Sequence, residues 1–534
     1  MHHFFFFYIG LLVVILLLVM LAQKIKISYP IVLVVGGLAI SFIPSLPNVD
    51  IDPELIFLIF LPPLLYEAAW QTSWKDFWKW RRVIASFAFL IVILTSCVIA
   101  YVSHSLIPGF TLSLGFLLGG IISPPDAVSA TSILKDVQVP KRLVAIVEGE
   151  SLLNDASSLV VFRFALAAVL TGSFSFREAS ISFVLVIIMG IAVGLAIALV
   201  FYAIHRWLPT NASIDTVLTF IAPYSMYMVA EQFHFSGVLA VVSGGLFLSN
   251  RSHVILNHVS RLQSVNVWAT IGFVFNGFVF MLIGLELPVV IRAIGDDQLP
   301  HAIKYGVIIS LVVIVTRILC TLGASVFTML ISNIITTADD RPGWKGPIVL
   351  GWAGMRGVVS LASALSIPLL LQNGQAFPQR NLILFITFTV ILVTLVFQGL
   401  TLPMVIMWFN EPERDYLIPT HEQEAMVKVE MKNVALKLLE DDYQQEVQTN
   451  SLLLNIRERL ESERTYVEGR SNRTHDETMH TRNNYQSVYT AVLNAQREVL
   501  YNLNRKPEFQ DEVIKKYVAQ LDLEEEKMRQ QLEG

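Results

Sequence analysis

An acidic, amide and hydroxyl cluster lies in the middle of one apolar stretch of the chain. The cluster is the segment ESLLND, from Glu150 to Asp155, within a predicted helix at about 142–170. On insertion scales, an ionised side chain at the centre of a membrane-spanning helix costs about 2.5–3.5 kcal/mol, so such residues are usually functional. These residues are therefore the first candidates for chemistry.

The spacing within this segment favours the binding of a small cation. Ser151 and Asp155 are four residues apart and share a helix face, and Asn154 lies beside them. Carboxylate, amide and hydroxyl oxygens are hard ligands that suit a small cation better than a soft metal. Because burial disfavours an ionised carboxylate, Asp155 can hold a proton near neutral pH or exchange it for a cation. A site that takes either ion, but not both, predicts an exchanger.

A second polar cluster, SPPDAVS, precedes the first and runs from Ser123 to Ser129. Pro124 and Pro125 remove two backbone donors in mid-span, which breaks a helix. Broken backbone at membrane depth is tolerated only where it faces protein or a polar cavity, and its freed carbonyls can bind a cation. Asp126 lies at this break. The simpler alternative is a proline kink without a binding role.

Three further charges lie in predicted helices. Glu67 is either a second acid near the ion site or an acid that reaches the cytoplasmic interface. Arg317 and Arg356 lie deep in late helices, where an unpaired charge is unfavourable, so each requires an anionic partner. Glu150 and Asp126 are the candidate partners.

The glycines around Arg356 predict a second broken helix. Gly351, Gly354 and Gly357 lie in the segment GWAGMRG, and glycine gives the backbone unusual freedom. This helix comes seven segments after the first break, as two inverted repeats joined by a linking helix require. Helices 1–6 and 8–13 would then form the two halves.

The elements that must position these residues are membrane-spanning helices. The chain has 534 residues, of which 54% are hydrophobic and 15% are charged, whereas soluble domains carry about 25% charged residues. An all-α polytopic membrane protein is therefore predicted. Windows of about 20 residues place thirteen helices at about 4–22, 29–46, 54–71, 83–106, 110–134, 142–170, 178–205, 213–232, 236–250, 266–291, 302–331, 346–371 and 380–409.

Charge placement predicts the orientation and the domains. Lysine and arginine are concentrated in the loops after odd-numbered helices, which the positive-inside rule assigns to the cytoplasm. The N-terminus is therefore expected outside. Residues 1–410 form the predicted transmembrane domain, and residues 411–534 form a charged, helical cytoplasmic tail. This tail is either a solubilising appendage or a regulatory or dimer-stabilising module.

These motifs resemble those of the NhaP-type sodium/proton antiporters, in the bacterial branch of the monovalent cation:proton antiporter-1 family. The resemblance covers about residues 5–410 and depends on SPPDAVS, GESLLNDAS and GMRG in that order. It implies thirteen helices, a scaffold that forms a homodimer, and a moving core of helices 4–6 and 11–13 in which helices 5 and 12 cross unwound. It also implies a plasma-membrane protein with a role in pH and sodium homeostasis.

The resemblance further implies roles for individual residues. Asp155 matches the carboxylate that binds the cation or the proton, with Asn154 beside it and Ser151 as a further ligand. Glu67 matches the acid of the third helix, and Asp126 matches the acid in the crossing.

By the same resemblance, Glu150 and Arg356 match the pair that braces the core, and Arg317 is a third candidate bracing charge. One departure concerns Pro125, where the family usually has threonine or another small polar residue. Pro125 can offer a cation its backbone carbonyl but no hydroxyl, so the choice among Na⁺, Li⁺ and K⁺ stays open. Family members with Asn-Asp at this position, rather than two acids, exchange one cation for one proton, which predicts electroneutral exchange.

Three rival functions remain: a potassium-preferring exchanger on the same fold, a cation channel, and a membrane sensor that does not transport. No catalytic or cofactor motif accompanies the isolated acids, so the sequence predicts no enzyme activity and no cofactor. The expected partners are the transported cations and protons, the lipid bilayer and a second copy of the chain, with no nucleic acid.

Overall fold

The computed structural model describes residues 2–43, 58–134, 137, 139–172, 176–295, 298–331, 343–371, 374–409, 420–470, 475–504 and 511–533. The chain divides into two compact units, Met1–Glu413 and Arg414–Gly534. The predicted domain boundary at 410/411 lies outside the described residues, as do residues 54–57 of the predicted third helix.

Regular structure in the described part of the first unit is helical, apart from one isolated bridge between Leu370 and Ala376. Two π-helical segments, Ser86–Ile91 and Val393–Gln398, each join two consecutive α-helices. The predicted all-α fold is confirmed. The helices are α1 (His2–Ile25), α2 (Tyr29–Ser41), α3 (Leu61–Gln71), α4 (Trp74–Ala85), α5 (Val92–Leu106), α6 (Leu112–Ile122), α7 (Ala127–Leu134), α8 (Lys141–Thr171), α9 (Phe176–Trp207), α10 (Ala212–Gln232), α11 (Gly237–Ile255), α12 (His258–Ile294), α13 (Leu299–Ile331), α14 (Lys345–Trp352), α15 (Val358–Leu365), α16 (Arg380–Leu392) and α17 (Gly399–Phe409).

Within the described residues, eight helical runs are long and apolar enough to cross a membrane. Shorter apolar helices lie at Ile9–Ile25 and Tyr29–Ser41, so the count of thirteen membrane-spanning helices stays a prediction. The glycine-rich element predicted at 236–250 is one continuous helix, α11. The Ser236 hydroxyl begins it by accepting the Leu239 N–H at 3.2 Å.

Both predicted helix breaks are confirmed, and each has a local cause. α6 ends and α7 begins on either side of Pro124 and Pro125, which cannot donate helical hydrogen bonds. α14 and α15 are separated by the glycine-containing segment 353–357. The two breaks meet, because the backbone N–H of Asp126 donates to the carbonyl of Met355 at 2.6 Å.

Two long helices support these breaks. α8 packs against α6, α7, α14 and α15, so it contacts both broken helices. α12 packs against α2, α3 and α15. At the α2–α12 crossing, a Cβ on Gly37 would come within 2.5 Å of the Met281 carbonyl, and small residues of this kind allow membrane helices to approach closely.

The second unit consists of short helical hairpins over its described residues. α18 packs against α20, and α21 packs against α22. Lys432 lies 3.4 Å from Glu463, and Arg497 lies 2.7 Å from Asp522 and 2.5 Å from Glu525. Exposed ion pairs add little stability, so apolar packing must hold these hairpins. The helices are α18 (Thr420–Asp441), α19 (Gln444–Thr449), α20 (Ser451–Arg470), α21 (His475–Asn504) and α22 (Asp511–Glu533).

Candidate functional site

Asp155 lies in the middle of the unbroken helix α8 and is almost fully buried, with 8% of its surface exposed. Among the described residues, no hydrogen bond or ion pair reaches its carboxylate, although the Asp126 carboxyl is close enough to interact with it electrostatically. A buried and unpaired carboxylate is costly in its ionised form. Asp155 is therefore a group that binding of a proton or a cation would stabilise.

Asn154 links this helix to the first break. Its Nδ2 donates to the carbonyl of Pro125 at 2.8 Å, and this bond fixes the orientation of the amide. The Oδ1 atom then has no hydrogen-bond partner in the described part of the chain, although it is buried. An amide oxygen left in this way can accept a cation or a water molecule. The structure thus brings Asn154 and Pro125 together, as their predicted roles require.

Ser151 lies one turn before Asp155 and tethers α7. Its hydroxyl oxygen accepts the backbone N–H of Ala127 at 3.2 Å, which satisfies one of the unpaired donors at the start of that helix. A hydroxyl oxygen can accept more than one bond, so this contact leaves Ser151 able to bind a cation.

Asp126 caps α7. Its Oδ1 accepts the Val128 N–H at 3.2 Å, and its Oδ2 accepts the N–H and the hydroxyl of Ser129 at 3.1 Å and 2.5 Å. Aspartate is a favoured residue before a helix, and the partial positive charge of the helix start stabilises its carboxylate. This charge is therefore compensated locally, whereas that of Asp155 is not.

Arg356 completes the other side of the first break. Its side chain is fully buried and donates to the carbonyls of Ile122 at 2.9 Å, Ser123 at 3.3 Å and Gly354. Ile122 and Ser123 lie where α6 ends, so their carbonyls lack helical partners and carry partial negative charge. Arg356 is thus a cation at a helix C-terminus.

The prediction that Glu150 pairs with Arg356 is wrong. Glu150 instead forms a two-pronged pair with Arg317, whose Nη1 and Nη2 each lie 2.8 Å from one carboxylate oxygen. Both side chains are buried, with 1% of the Glu150 side chain and 3% of the Arg317 side chain exposed. The physical reason is that Arg356 is engaged by the carbonyls at the break, which leaves Arg317 to compensate Glu150.

Glu67 lies in α3 and faces α12. Its carboxylate accepts a hydrogen bond from Gln71 Nε2 at 2.9 Å and lies directly against Gly272. The Tyr29 hydroxyl is within electrostatic range of both Glu67 and Asp126. Glu67 and Asp126 therefore both lie near Tyr29, as the interpretation of a second acid near the site requires.

Three polar contacts near the site or between helices were not predicted from the sequence. Ser157 donates to the Ala88 carbonyl, in the first π-helical segment, at 2.5 Å. Arg163 lies 2.6 Å from Glu231. Thr394 Oγ1, in the second π-helical segment, accepts the Arg356 N–H at 3.1 Å. The two residues of each contact are 38 to 69 positions apart in the sequence, so no local sequence pattern predicts these contacts. The one available signal is structural, since π-helical segments frequently accompany functional sites.

We expect Gly357→Ala to destabilise the protein. A Cβ at this position would lie 2.7 Å from Asp126 Cγ, so the Asp126 cap would have to move. Overpacking of this kind typically costs about 1–3 kcal/mol. Thermal unfolding of purified protein measures the effect. Gly323→Ala is the matched control, because no atom lies within 4 Å of its Cβ position. Equal midpoints for the two variants would contradict the close approach of the breaks.

Comparisons with known proteins agree with this architecture. The family model described as "Sodium/hydrogen exchanger, transmembrane" matches residues 10–408. A sodium, potassium, lithium and rubidium/H⁺ antiporter from Bacillus pumilus is 34% identical over 390 residues, which are 71% of this chain and 57% of that protein. The Na⁺/H⁺ antiporter ApNhaP from Aphanothece halophytica is 35% identical over 385 residues, which are 71% of this chain and 69% of that protein.

A solved structure has a similar fold. It is that of the sodium proton antiporter MjNhaP1 from Methanocaldococcus jannaschii, with a TM-score of 0.62 and 20% sequence identity. The similarity covers 76% of this chain and 98% of that structure. At this identity the likeness concerns the fold alone.

Proposed function

The chain belongs to the sodium/hydrogen exchanger family, and we propose that it is a secondary antiporter that exchanges a monovalent cation for a proton across the plasma membrane. The observation that carries this proposal is the buried Asp155 carboxylate, which has no partner among the described residues, beside the unpaired Asn154 oxygen. An ionised Asp155 is unfavourable unless it binds an ion. The loaded site, with either ion, is therefore the form that moves between the two sides of the membrane.

The surrounding charges support competition at one group. Glu150 is neutralised by Arg317, and the helix start of α7 compensates Asp126. Arg356 is balanced by carbonyls at the end of α6. These contacts leave Asp155 as the acid of the site whose charge depends on the transported ion, so protons and cations exclude each other there.

We propose that the cation is bound by Asp155 with oxygen ligands from Ser151, Asn154 and the Pro125 carbonyl. Asp126, which caps α7, and Glu67, from α3, are the remaining acids of the proposed ion-binding set. The Pro125 carbonyl already accepts the Asn154 amide at 2.8 Å, so the cation would use its second lone pair. The transported ions in this proposal are Na⁺ and Li⁺, and a preference for K⁺ is the alternative.

We propose an electroneutral, one-for-one cycle. The site has asparagine at 154 and a single carboxylate at 155, so the loaded carrier has the same charge with either ion. Such a cycle gains nothing from membrane potential. A cycle with net charge movement would gain about 2.3 kcal/mol per charge per 100 mV.

Proton flux in proteoliposomes tests these proposals. The full chain is reconstituted with a pH-sensitive dye inside, and Na⁺, Li⁺ and K⁺ are added in turn. The potential is set with thiocyanate gradients, which leave K⁺ free as a test ion. We expect cation-driven proton movement with the same rate at zero and imposed potential.

Other outcomes separate the rival functions. Exchange that depends on potential would retain the antiporter but exclude the one-for-one stoichiometry. A response to K⁺ far stronger than to Na⁺ or Li⁺ would select the potassium-preferring exchanger. Cation current without proton movement would indicate a channel, and no flux at all in folded protein would indicate a sensor.

We also propose that the protein is a homodimer with its N-terminus outside and its tail in the cytoplasm. The charge asymmetry of the predicted loops supports this orientation. The tail hairpins, with their separate ion pairs at Lys432 and Arg497, support a folded module that regulates the exchanger or stabilises the dimer.

A further inference from the structure

Helix α12 carries a buried amide oxygen without a partner. Asn276 has 7% of its surface exposed, and its Oδ1 atom makes no hydrogen bond among the described residues. Native proteins pair nearly all buried polar groups, so an unpaired one in a helix interior requires an explanation. A ligand that occupies this position during the working cycle would provide one.

The position of Asn276 on α12 indicates which ligand this is. Gly272, Asn276 and Phe280 are spaced by four residues and lie one above another on the same helix face. At one end of this face, Gly272 lies against the Glu67 carboxylate. At the other end, the Phe280 ring meets the Tyr29 ring edge-on, with 6.4 Å between the ring centroids.

Tyr29, which meets this face at Phe280, lies near the first break. The Tyr29 hydroxyl is within electrostatic range of both Asp126 and Glu67. α12 also packs against α15, the helix that follows the second break. Asn276 therefore lies on a helix face that touches the acid of α3 at one end and Tyr29, which is near the first break, at the other.

We propose that Asn276 Oδ1 is a ligand for the transported monovalent cation on its way between Glu67 and Asp155. The proposal rests on the proposed antiport function and extends it to α12. A cation that approaches a buried carboxylate must lose water, and a neutral amide oxygen can replace one water molecule without adding charge. An amide does not bind a proton near neutral pH. Asn276 thus acts on the cation and not on the proton, and influences which cation is preferred.

The test uses the full chain in proteoliposomes with Asn276→Leu, which keeps the branched side-chain shape at Cγ and removes the oxygen. We expect the apparent KM for Na⁺, Li⁺ or K⁺ to rise about tenfold, the effect of losing one ligand of modest strength. The maximal rate should stay as in the wild type, and so should the pH of half-maximal rate when each protein is assayed at the same multiple of its own KM. Asn276→Asp keeps an oxygen at the same place and should lower the KM again, while its carboxylate adds a proton-binding group and shifts the pH of half-maximal rate.

Asn266→Leu is the matched control, because Asn266 is an exposed asparagine on the same helix and its replacement should leave the KM unchanged. A second readout is independent of transport. The cation should raise the unfolding temperature of wild-type protein in detergent, because it binds the folded state. Asn276→Leu should reduce this shift.

Three results would overturn the proposal. The first is a KM in Asn276→Leu that is unchanged for every cation. The second is a lower maximal rate in this variant, with its KM and its cation-dependent stabilisation unchanged, which would make Asn276 a structural residue. The third is an equal rise in KM for Asn266→Leu. Failure of the antiport function itself is distinguishable, since the wild type would then show no cation-driven proton movement.

Discussion

Asp155→Asn should reduce cation-driven proton movement to the rate of protein-free liposomes, while the protein still inserts and folds. Asparagine has nearly the same shape as aspartate but cannot bind a proton near neutral pH and offers a cation no charge. The side chain at 155 has no hydrogen bond or ion pair in the described residues, so its neutralisation leaves no partner behind. The unfolding temperature should therefore equal or exceed that of the wild type.

The measurement combines flux in proteoliposomes with thermal unfolding of the same preparation. Asp442→Asn serves as the control, because it makes the same chemical change at an exposed acid of the second unit. Exchange by Asp155→Asn at more than the background rate would refute the role of Asp155. Inactivity accompanied by misfolding would show that this carboxylate stabilises the protein, contrary to its lack of partners.

The parts of this site that the sequence predicted are those with local causes. Two adjacent prolines cannot continue a helix, so the first break is readable from Pro124 and Pro125. The four-residue spacing of Ser151 and Asp155 determines their common face. The cap at Asp126 also had a readable signal, since aspartate at the start of a helix is a common cap.

The pairing of the charges could not be predicted in the same way. Arg317 and Arg356 are both buried arginines in late helices, and Glu150 was a candidate partner of each. Which arginine meets Glu150 depends on how the helices pack and on the carbonyls that the first break exposes. Those carbonyls bind Arg356. A sequence reveals that a break exists, but it does not reveal which distant side chain satisfies the broken backbone.

The Glu150–Arg317 pair leads to the second large expected effect. Arg317→Met should destabilise the protein by about 3–5 kcal/mol, because it leaves a buried carboxylate without its counter-ion. Replacing both residues, as in Glu150→Leu with Arg317→Met, should recover most of this loss, since two apolar side chains in place of a buried ion pair are often neutral for stability.

The comparison of these variants separates pairing from packing. Thermal unfolding and expression level are measured for the wild type, both single variants and the double variant, with the exposed Arg251→Met as control. If the pair acts through charge compensation, each single change is worse than the double change. If the double variant loses as much stability as the two single variants lose together, the two side chains act independently and the pairing is refuted. A double variant that folds but does not exchange ions would instead show that the pair holds α8 in its working position, because the Asp155 carboxylate would be intact in a stable protein.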